Sequence, residues 1–194
     1  MSDSSQLYFL NHRERPRRTE LEEIDSPLLL ADWHLPIGWL AMLAPGDLNI
    51  DSNASRDNEK PYFSVECATA IERLDERLLW LKSAVPGLQN AWFDSFRRFL
   101  LDSEFRWVHV DPLPISEVIG DDTVAESERL IGLLAAFDEH PTPMDSIMKS
   151  TSDSPTGWEA YVAHFNTPFR DKTYDLWYAC FGASGTEQLA PWEG

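Results

Sequence analysis

The chain is poor in cysteine and in basic side chains. Cys67 and Cys180 are its only two cysteines, and two isolated thiols provide neither a disulfide framework nor a zinc-binding pattern. We therefore expect both to be small buried apolar groups in a reducing compartment. Lys and Arg number 16 against 33 Asp and Glu, a net charge of −17. This charge repels the phosphates of nucleic acids and anionic lipids. It either serves solubility alone or attracts a basic protein partner.

A long hydrophobic run is also missing. The most apolar stretch, residues 35–45, contains two prolines and a glycine and is too short to span a bilayer. Residues 1–5 are polar and are followed by only a short apolar stretch, which does not match a signal peptide. Both observations predict a cytoplasmic protein that does not enter a membrane.

The motifs that mark common enzyme classes are absent from the sequence. There is no Gly-x-Ser-x-Gly elbow, no Walker loop and no Gly-x-Gly-x-x-Gly fingerprint. The five histidines are scattered, and no two of them have the i,i+4 spacing of a helical metal site. Adjacent carboxylates such as Glu22 and Glu23 are more typical of a solvated surface than of a glycosidase pair. The sequence therefore predicts neither an enzyme nor a bound metal or other cofactor.

Two places could still carry chemistry. In the triplet 109–111, a strand would put His109 and Asp111 on the same face. A metal-dependent hydrolase that uses these two residues is the alternative function, although two ligands leave a metal site incomplete. Cys67 lies in the first turn of a predicted helix, where a thiolate is favoured, and this position is the only argument for a nucleophilic role.

Aromatic residues and amphipathic segments are abundant. Aromatics make up 12% of the 194 residues and include eight tryptophans, a composition that argues against disorder for most of the chain. We predict one globular domain over residues 1–194. Within it, the polar composition predicts a mobile loop near residues 50–60 and a linker near residues 150–157.

The hydrophobic periodicity predicts an α+β fold that is predominantly helical, with five or six helices packed on a small sheet. Apolar residues that recur at intervals of three and four predict long helices at residues 66–84, 88–101 and 123–138. Thr123 and Glu126 form a capping box at the start of the last one. Ser26 followed by Pro27 predicts the start of a further helix.

Three stretches have the composition of strands: residues 6–10, 105–110 and 174–181. Residues 62–65 fit either a short strand or the entry to a helix, with Ser64 as its N-cap. Residues 182–185 are small and are predicted to form a turn. Because only nine residues follow them, this turn cannot lead into the helix of a nucleotide site.

Negative charge is concentrated in the last part of the chain. Residues 111–194 hold four basic and 15 acidic side chains, a net of −11, whereas residues 61–110 are nearly balanced. Trp192 either folds back on the body of the protein or serves as an interface anchor. We predict that this set of residues binds the partner: Asp121, Asp122, Glu126, Glu128 and Trp192.

Three apolar or aromatic segments stand out together: residues 7–11, 35–47 and 174–178. They resemble segments of uncharacterised bacterial proteins that are encoded beside polymorphic toxins and are similar to immunity proteins. The resemblance brings no catalytic residues with it. It implies an acidic cytoplasmic protein without cofactors, which binds a toxin domain and occludes its active site. Such toxins are often basic when they attack nucleic acids, and an acidic inhibitor would complement them.

Overall fold

The computed structural model describes residues 4–15, 28–32, 35–51, 60–84, 88–111, 131, 134–135, 176–184 and 190. A six-stranded antiparallel sheet is the central element of this part of the chain, with the strand order β3-β4-β5-β1-β2-β6. The strands in chain order are β1 (Ser4–Leu10), β2 (Leu28–Asp32), β3 (Leu48–Asp51), β4 (Lys60–Glu66), β5 (Trp107–Asp111) and β6 (Ala183–Ser184).

Helices pack around this sheet, and a short 3₁₀ helix (Pro45–Asp47) precedes β3. The α-helices in chain order are α1 (Ile37–Leu40), α2 (Cys67–Glu76), α3 (Leu78–Ala84), α4 (Asn90–Leu101) and α5 (Leu176–Phe181). Within the described ranges, none of them has the length and apolar character needed to cross a membrane.

The fold class is α+β, as the sequence predicts. The prediction of a predominantly helical protein with a small sheet is wrong for the described residues, because the sheet has six strands. Several of them come wholly or partly from segments with another predicted role. β2 follows Ser26 and Pro27, where a helix is predicted, and pairs with β1. Residues 50–51 and 60 of the predicted loop belong to the β3–β4 hairpin.

One face of the sheet is apolar and forms the core. The register of β1 and β5 places Leu7 opposite Val110 and Phe9 opposite Val108, and all four side chains are fully buried. Helices α2 and α4 cover this face with their own buried side chains, such as Phe96. Each Leu or Phe removed from water in this way stabilises the fold by roughly 1.5–3 kcal/mol.

The other face of the same strands is polar and aromatic, and it is buried as well. Its side chains, which we call the polar face, alternate with the core residues along β1, β4 and β5: Tyr8, Tyr62, Ser64, His109 and Asp111. Residues 11–15, which we call the strap, follow β1 and contact this face through the His12 carbonyl and the Arg15 side chain. The strap thus helps to shield the polar face from water.

Helix α5 corrects the prediction of a strand at residues 174–181, because residues 176–181 are helical. The ring of Phe181 packs on Phe96 with 4.7 Å between centroids, and the Phe181 carbonyl accepts a hydrogen bond of 2.8 Å from the indole of Trp39. Gly182 then adopts a φ of 73° and turns the chain into β6, which pairs with β2. Packing against α1 decides this conformation, and the predicted turn at 182–185 contains a strand.

Two arginine side chains form hydrogen bonds and an ion pair with the segment that follows α1. The Nη1 of Arg77 donates to the carbonyls of Ala41 and Leu43 at 3.0 and 2.6 Å. Arg73 forms an ion pair with Asp47. These contacts satisfy carbonyl groups that a helix end leaves without an intrahelical partner, and they fix α1 to α2.

Hydrophobic periodicity in the sequence predicted several other elements close to their observed positions. Residues 88–101 are confirmed as α4, and β1 and β5 confirm the strands predicted at 6–10 and 105–110. The predicted helix 66–84 consists of α2 and α3, which meet at Arg77. Because β4 continues through Ser64, the helix begins only at Cys67 and Ser64 is not its N-cap. Most of the predicted helix 123–138, the linker at 150–157 and residues 52–59 lie outside the described residues.

Candidate functional site

His109 occupies the centre of the polar face. Because β5 lies between β1 and β4, His109 has Tyr8 on one side and Ser64 on the other. The rings of Tyr8 and His109 are parallel within 5°, with 5.2 Å between centroids. Tyr62 stacks on the same imidazole at 6.1 Å. The two-residue period of the strands therefore gathers three rings from distant parts of the chain on one face.

The surroundings of His109 keep its imidazole neutral. Its Nε2 lies 3.0 Å from the carbonyl oxygen of His12, and because a carbonyl only accepts, Nε2 carries the ring hydrogen in this contact. Burial lowers the pKa of His109 to about 4. Nδ1 therefore holds a lone pair at neutral pH, and it accepts no hydrogen bond from the described residues.

Asp111 and Tyr8 complete the polar face. Asp111 forms an ion pair with Arg15 of the strap, and only 10% and 17% of the two side chains is exposed. The Tyr8 hydroxyl lies beside the charged side chains of Arg15 and Asp111, and both act on its pKa. Burial, and next to it the charge of Asp111, raises the pKa of Tyr8 well above its usual value. This hydroxyl therefore remains protonated at neutral pH.

The hydrolase alternative requires His109 and Asp111 to be available as ligands or as a base. The structure brings the two residues to one face, as the triplet predicts, but Arg15 and the His12 carbonyl hold them. Among the described residues, no group of three His, Cys, Asp or Glu side chains is arranged to hold a metal ion. A histidine with a pKa of about 4 is also a weak general base near neutral pH. No observation in the described part of the chain favours this alternative.

The two thiols are buried, as the sequence predicts. Cys67 stands in the first turn of α2, but its Sγ donates to the carbonyl of Phe105 at 3.2 Å, and burial raises its pKa to about 11. Burial likewise raises the pKa of Cys180 to about 12. Since the thiolate is the reactive form, these environments argue against a nucleophilic role for Cys67.

A charged surface lies at the start of β5, on the same side of the sheet as the polar face. The half-buried indole of Trp107 has the guanidinium of Arg13 at 5.9 Å and that of Arg106 at 5.7 Å from a ring centroid. Arg106 also donates to Glu66 at 2.7 Å. We call Arg13, Trp107 and Arg106 the Arg–Trp surface.

Sequence reasoning missed the Arg–Trp surface for a physical reason. Trp107 falls in a periodic segment, which predicts a core position, and it in fact lies at the strand end beside Glu66 of β4. The adjacency of Arg106 and Trp107 is visible in the sequence. The approach of Arg13 depends on the turn of the strap, and no local pattern reports such a turn.

The predicted partner-binding residues all lie outside the described residues: Asp121, Asp122, Glu126, Glu128 and Trp192. Their role stays a prediction. The described residues themselves hold nine Lys and Arg against twelve Asp and Glu, so most of the −17 belongs to the rest of the chain. On the polar face, Asp111 is paired with Arg15, and His109 Nε2 donates to the His12 carbonyl. Comparisons of this chain with protein-family models, with curated proteins and with solved structures found no match.

Proposed function

We propose that the protein is a cytoplasmic immunity protein, which binds a cognate bacterial toxin and neutralises it by occluding the toxin's active site. The uneven charge carries this proposal. Residues 111–194 hold −11 of the net −17, whereas the described residues are close to balance. The electrostatic field of such an acidic region attracts a basic protein and accelerates the encounter of the two proteins.

The polar face provides a second, independent argument for this proposal. The side chains with the best claim to catalysis, His109 and Asp111, are engaged by the strap. The thiol of Cys67 has a raised pKa. The described residues therefore favour recognition through the surface over chemistry in a cleft.

The proposed contact residues have two separable roles. Asp121, Asp122, Glu126 and Glu128 supply the long-range attraction, which acts mainly on the association rate and is weakened by salt. Trp192 supplies an apolar anchor of the type that dominates interface energies, and such anchors act mainly on the dissociation rate. Kinetic measurements can therefore assign each role independently.

The first experiment is a pull-down with the tagged full chain from the native host at moderate salt. We expect one near-stoichiometric basic partner that is toxic when expressed alone and harmless when this chain is co-expressed. If no partner is recovered and the purified protein contains stoichiometric metal, the proposal fails and an enzyme becomes the better interpretation.

The second experiment tests the steering role with two matched variants that each convert two Asp and two Glu to their amides. Converting the predicted contact set should slow association with the captured partner about tenfold at low salt and reduce its salt dependence. The contact set is Asp121, Asp122, Glu126 and Glu128. The control set, taken from exposed positions of the nearly balanced described part, is Glu72, Glu76, Asp94 and Asp102. Equal association rates for the two variants would contradict the assignment of the contact set.

A further inference from the structure

Within the described residues, the Arg–Trp surface contains an exposed arginine without a carboxylate partner. Arg106 is paired with Glu66 at 2.7 Å, whereas the Arg13 side chain forms no ion pair or hydrogen bond with a described residue and lies over the ring of Trp107. Its position over the indole ring limits the freedom of the side chain.

The residue types of this surface are those that interfaces concentrate. Trp and Arg are enriched among the residues that dominate binding energies, while Lys and Glu are depleted there. Trp107 is only partly buried, so it offers apolar area to a partner. An arginine stacked on an aromatic ring is also more weakly hydrated than an ammonium group, which lowers the cost of covering it.

The pairing already present at this surface indicates the chemistry of the missing ligand. Glu66 shows that a side-chain carboxylate fits against Arg106 beside the indole, and the unpaired Arg13 can receive a second one in the same way. The carboxylates of Glu66 and Glu14, the neighbour of Arg13 in the chain, would repel the closely spaced phosphates of a nucleic acid. A peptide with spaced carboxylates avoids most of that repulsion.

The surface is also separated from the place where the acidic part of the chain begins. Trp107 and Asp111 are the two ends of β5, roughly 13 Å apart at the usual rise of a strand. Charges in water are screened beyond about 8 Å at physiological ionic strength. Glu14 and Glu66 match Arg13 and Arg106 in number at this surface, so the attraction for a ligand carboxylate comes from direct pairing with Arg13 at short range.

We infer that the Arg–Trp surface is a binding site for an acidic peptide segment of a partner. One carboxylate of the segment pairs with Arg13, and a neighbouring apolar side chain packs on Trp107. This site is distinct from the acidic contact set of the proposed function and does not depend on it, because it selects a ligand of the opposite charge.

The test is an NMR titration of the full chain with a capped octapeptide of alternating glutamate and leucine, followed at the assigned indole N–H of Trp107. We expect a saturable shift whose apparent Kd rises with salt. Arg13→Gln should weaken binding about threefold to fivefold, the size expected for one exposed ion pair.

Arg98→Gln is the matched control, since Arg98 is an exposed arginine of α4 outside the surface. It should leave the titration unchanged, and unfolding curves for both variants check that each remains folded. The inference fails if the Trp107 signal does not respond to the peptide, or if Arg98→Gln weakens binding as much as Arg13→Gln. It also fails if an oligothymidylate of equal length binds in preference to the peptide.

Discussion

At the scale of single residues, His109 illustrates how a titratable group is accommodated inside the sheet. The imidazole stacks on Tyr8 and Tyr62 and donates its one hydrogen to a strap carbonyl. These neighbours suit an uncharged ring, because nearby Asp111 is paired with Arg15 and does not hydrogen-bond to it. The fold thus depends on His109 remaining neutral.

The first prediction concerns the pH dependence of stability. An unfolded histidine has a pKa of about 6.5, and burial lowers that of His109 to about 4 in the folded state. Between these values the unfolded chain binds a proton that the folded chain does not, so stability must fall as the pH falls. The full loss is about 3 kcal/mol. Urea unfolding at pH 7, 5.5 and 4.5 measures it.

Two glutamine variants isolate the contribution of this residue. His109→Gln should remove most of the slope between pH 6.5 and 4, whatever it does to stability at pH 7. His12→Gln should preserve it, because the His12 side chain is about half exposed and its backbone carbonyl is retained. Equal slopes in both variants would show that other groups cause the pH dependence.

Gly182 provides a second prediction at the residue scale. Its φ is 73°, and an added Cβ would lie 2.6 Å from the ring of Trp39 and 2.9 Å from the carbonyl of Leu30. Gly182→Ala should therefore destabilise the protein by more than the roughly 1–3 kcal/mol of an unfavourable backbone conformation alone. Gly46→Ala is the control, since no atom lies within 4 Å of its added Cβ. A similar melting temperature for both variants would contradict the strained packing at Gly182.

At the scale of elements, the sequence predicts an element correctly where its own hydrophobic pattern stabilises it. The prediction fails where contacts with distant parts of the chain decide the conformation. α4 has apolar residues on one side along its whole length, and its buried Phe93, Phe96 and Leu100 follow that pattern. β5 alternates between Val108 and Val110 on the core face and His109 on the other. In such segments the local period alone determines which residues face the apolar core.

Other elements depend on partners that are distant in the chain. The leucine run of β2 fits a helix or a strand equally well, and pairing with β1 decides between them. Residues 176–181 have strand-forming aromatics but form α5, because Phe181 meets Phe96 and Trp39. For the candidate site, the sequence indicated that His109 and Asp111 share a face. Their engagement by Arg15 and the His12 carbonyl depends on the strap and was not predictable from a local pattern.

The strap gives the prediction that belongs to this scale. Arg15 joins the strap to Asp111 with both side chains largely buried, whereas Arg97 and Asp75 form a bidentate pair with both side chains more than a third exposed. A double-mutant cycle of Arg15→Gln and Asp111→Asn should give a coupling energy of about 2–3 kcal/mol. The same cycle for Arg97→Gln and Asp75→Asn should give a clearly smaller coupling energy, because solvent screens this exposed pair.

Urea unfolding of the four proteins in each cycle measures both couplings. Trypsin should also cleave after Arg13 sooner in the Arg15→Gln variant, because the strap loses its connection to β5. Equal coupling in the two cycles, with no change in cleavage, would mean that the Arg15 pair does not hold the strap.

At the scale of the whole molecule, charge is unevenly divided along the chain. The described residues form a sheet with helices and are nearly balanced in charge, and most of the excess of carboxylates lies between residues 111 and 194. Crowded like charges repel one another and oppose a compact state. A protein that uses its acidic residues to bind a basic partner must tolerate this repulsion whenever the partner is absent.

The last prediction is therefore that salt stabilises the free protein. Raising NaCl from 10 mM to 150 mM shortens the Debye length from about 30 to about 8 Å. The added salt screens the repulsion among the carboxylates, so the melting temperature should rise. Converting Asp121, Asp122, Glu126 and Glu128 to their amides should reduce this rise more than the equivalent change at Glu72, Glu76, Asp94 and Asp102. The same reduction in both variants would mean that the repulsion is spread over the molecule, and the 111–194 region would then lack the concentrated field that attracts a basic partner.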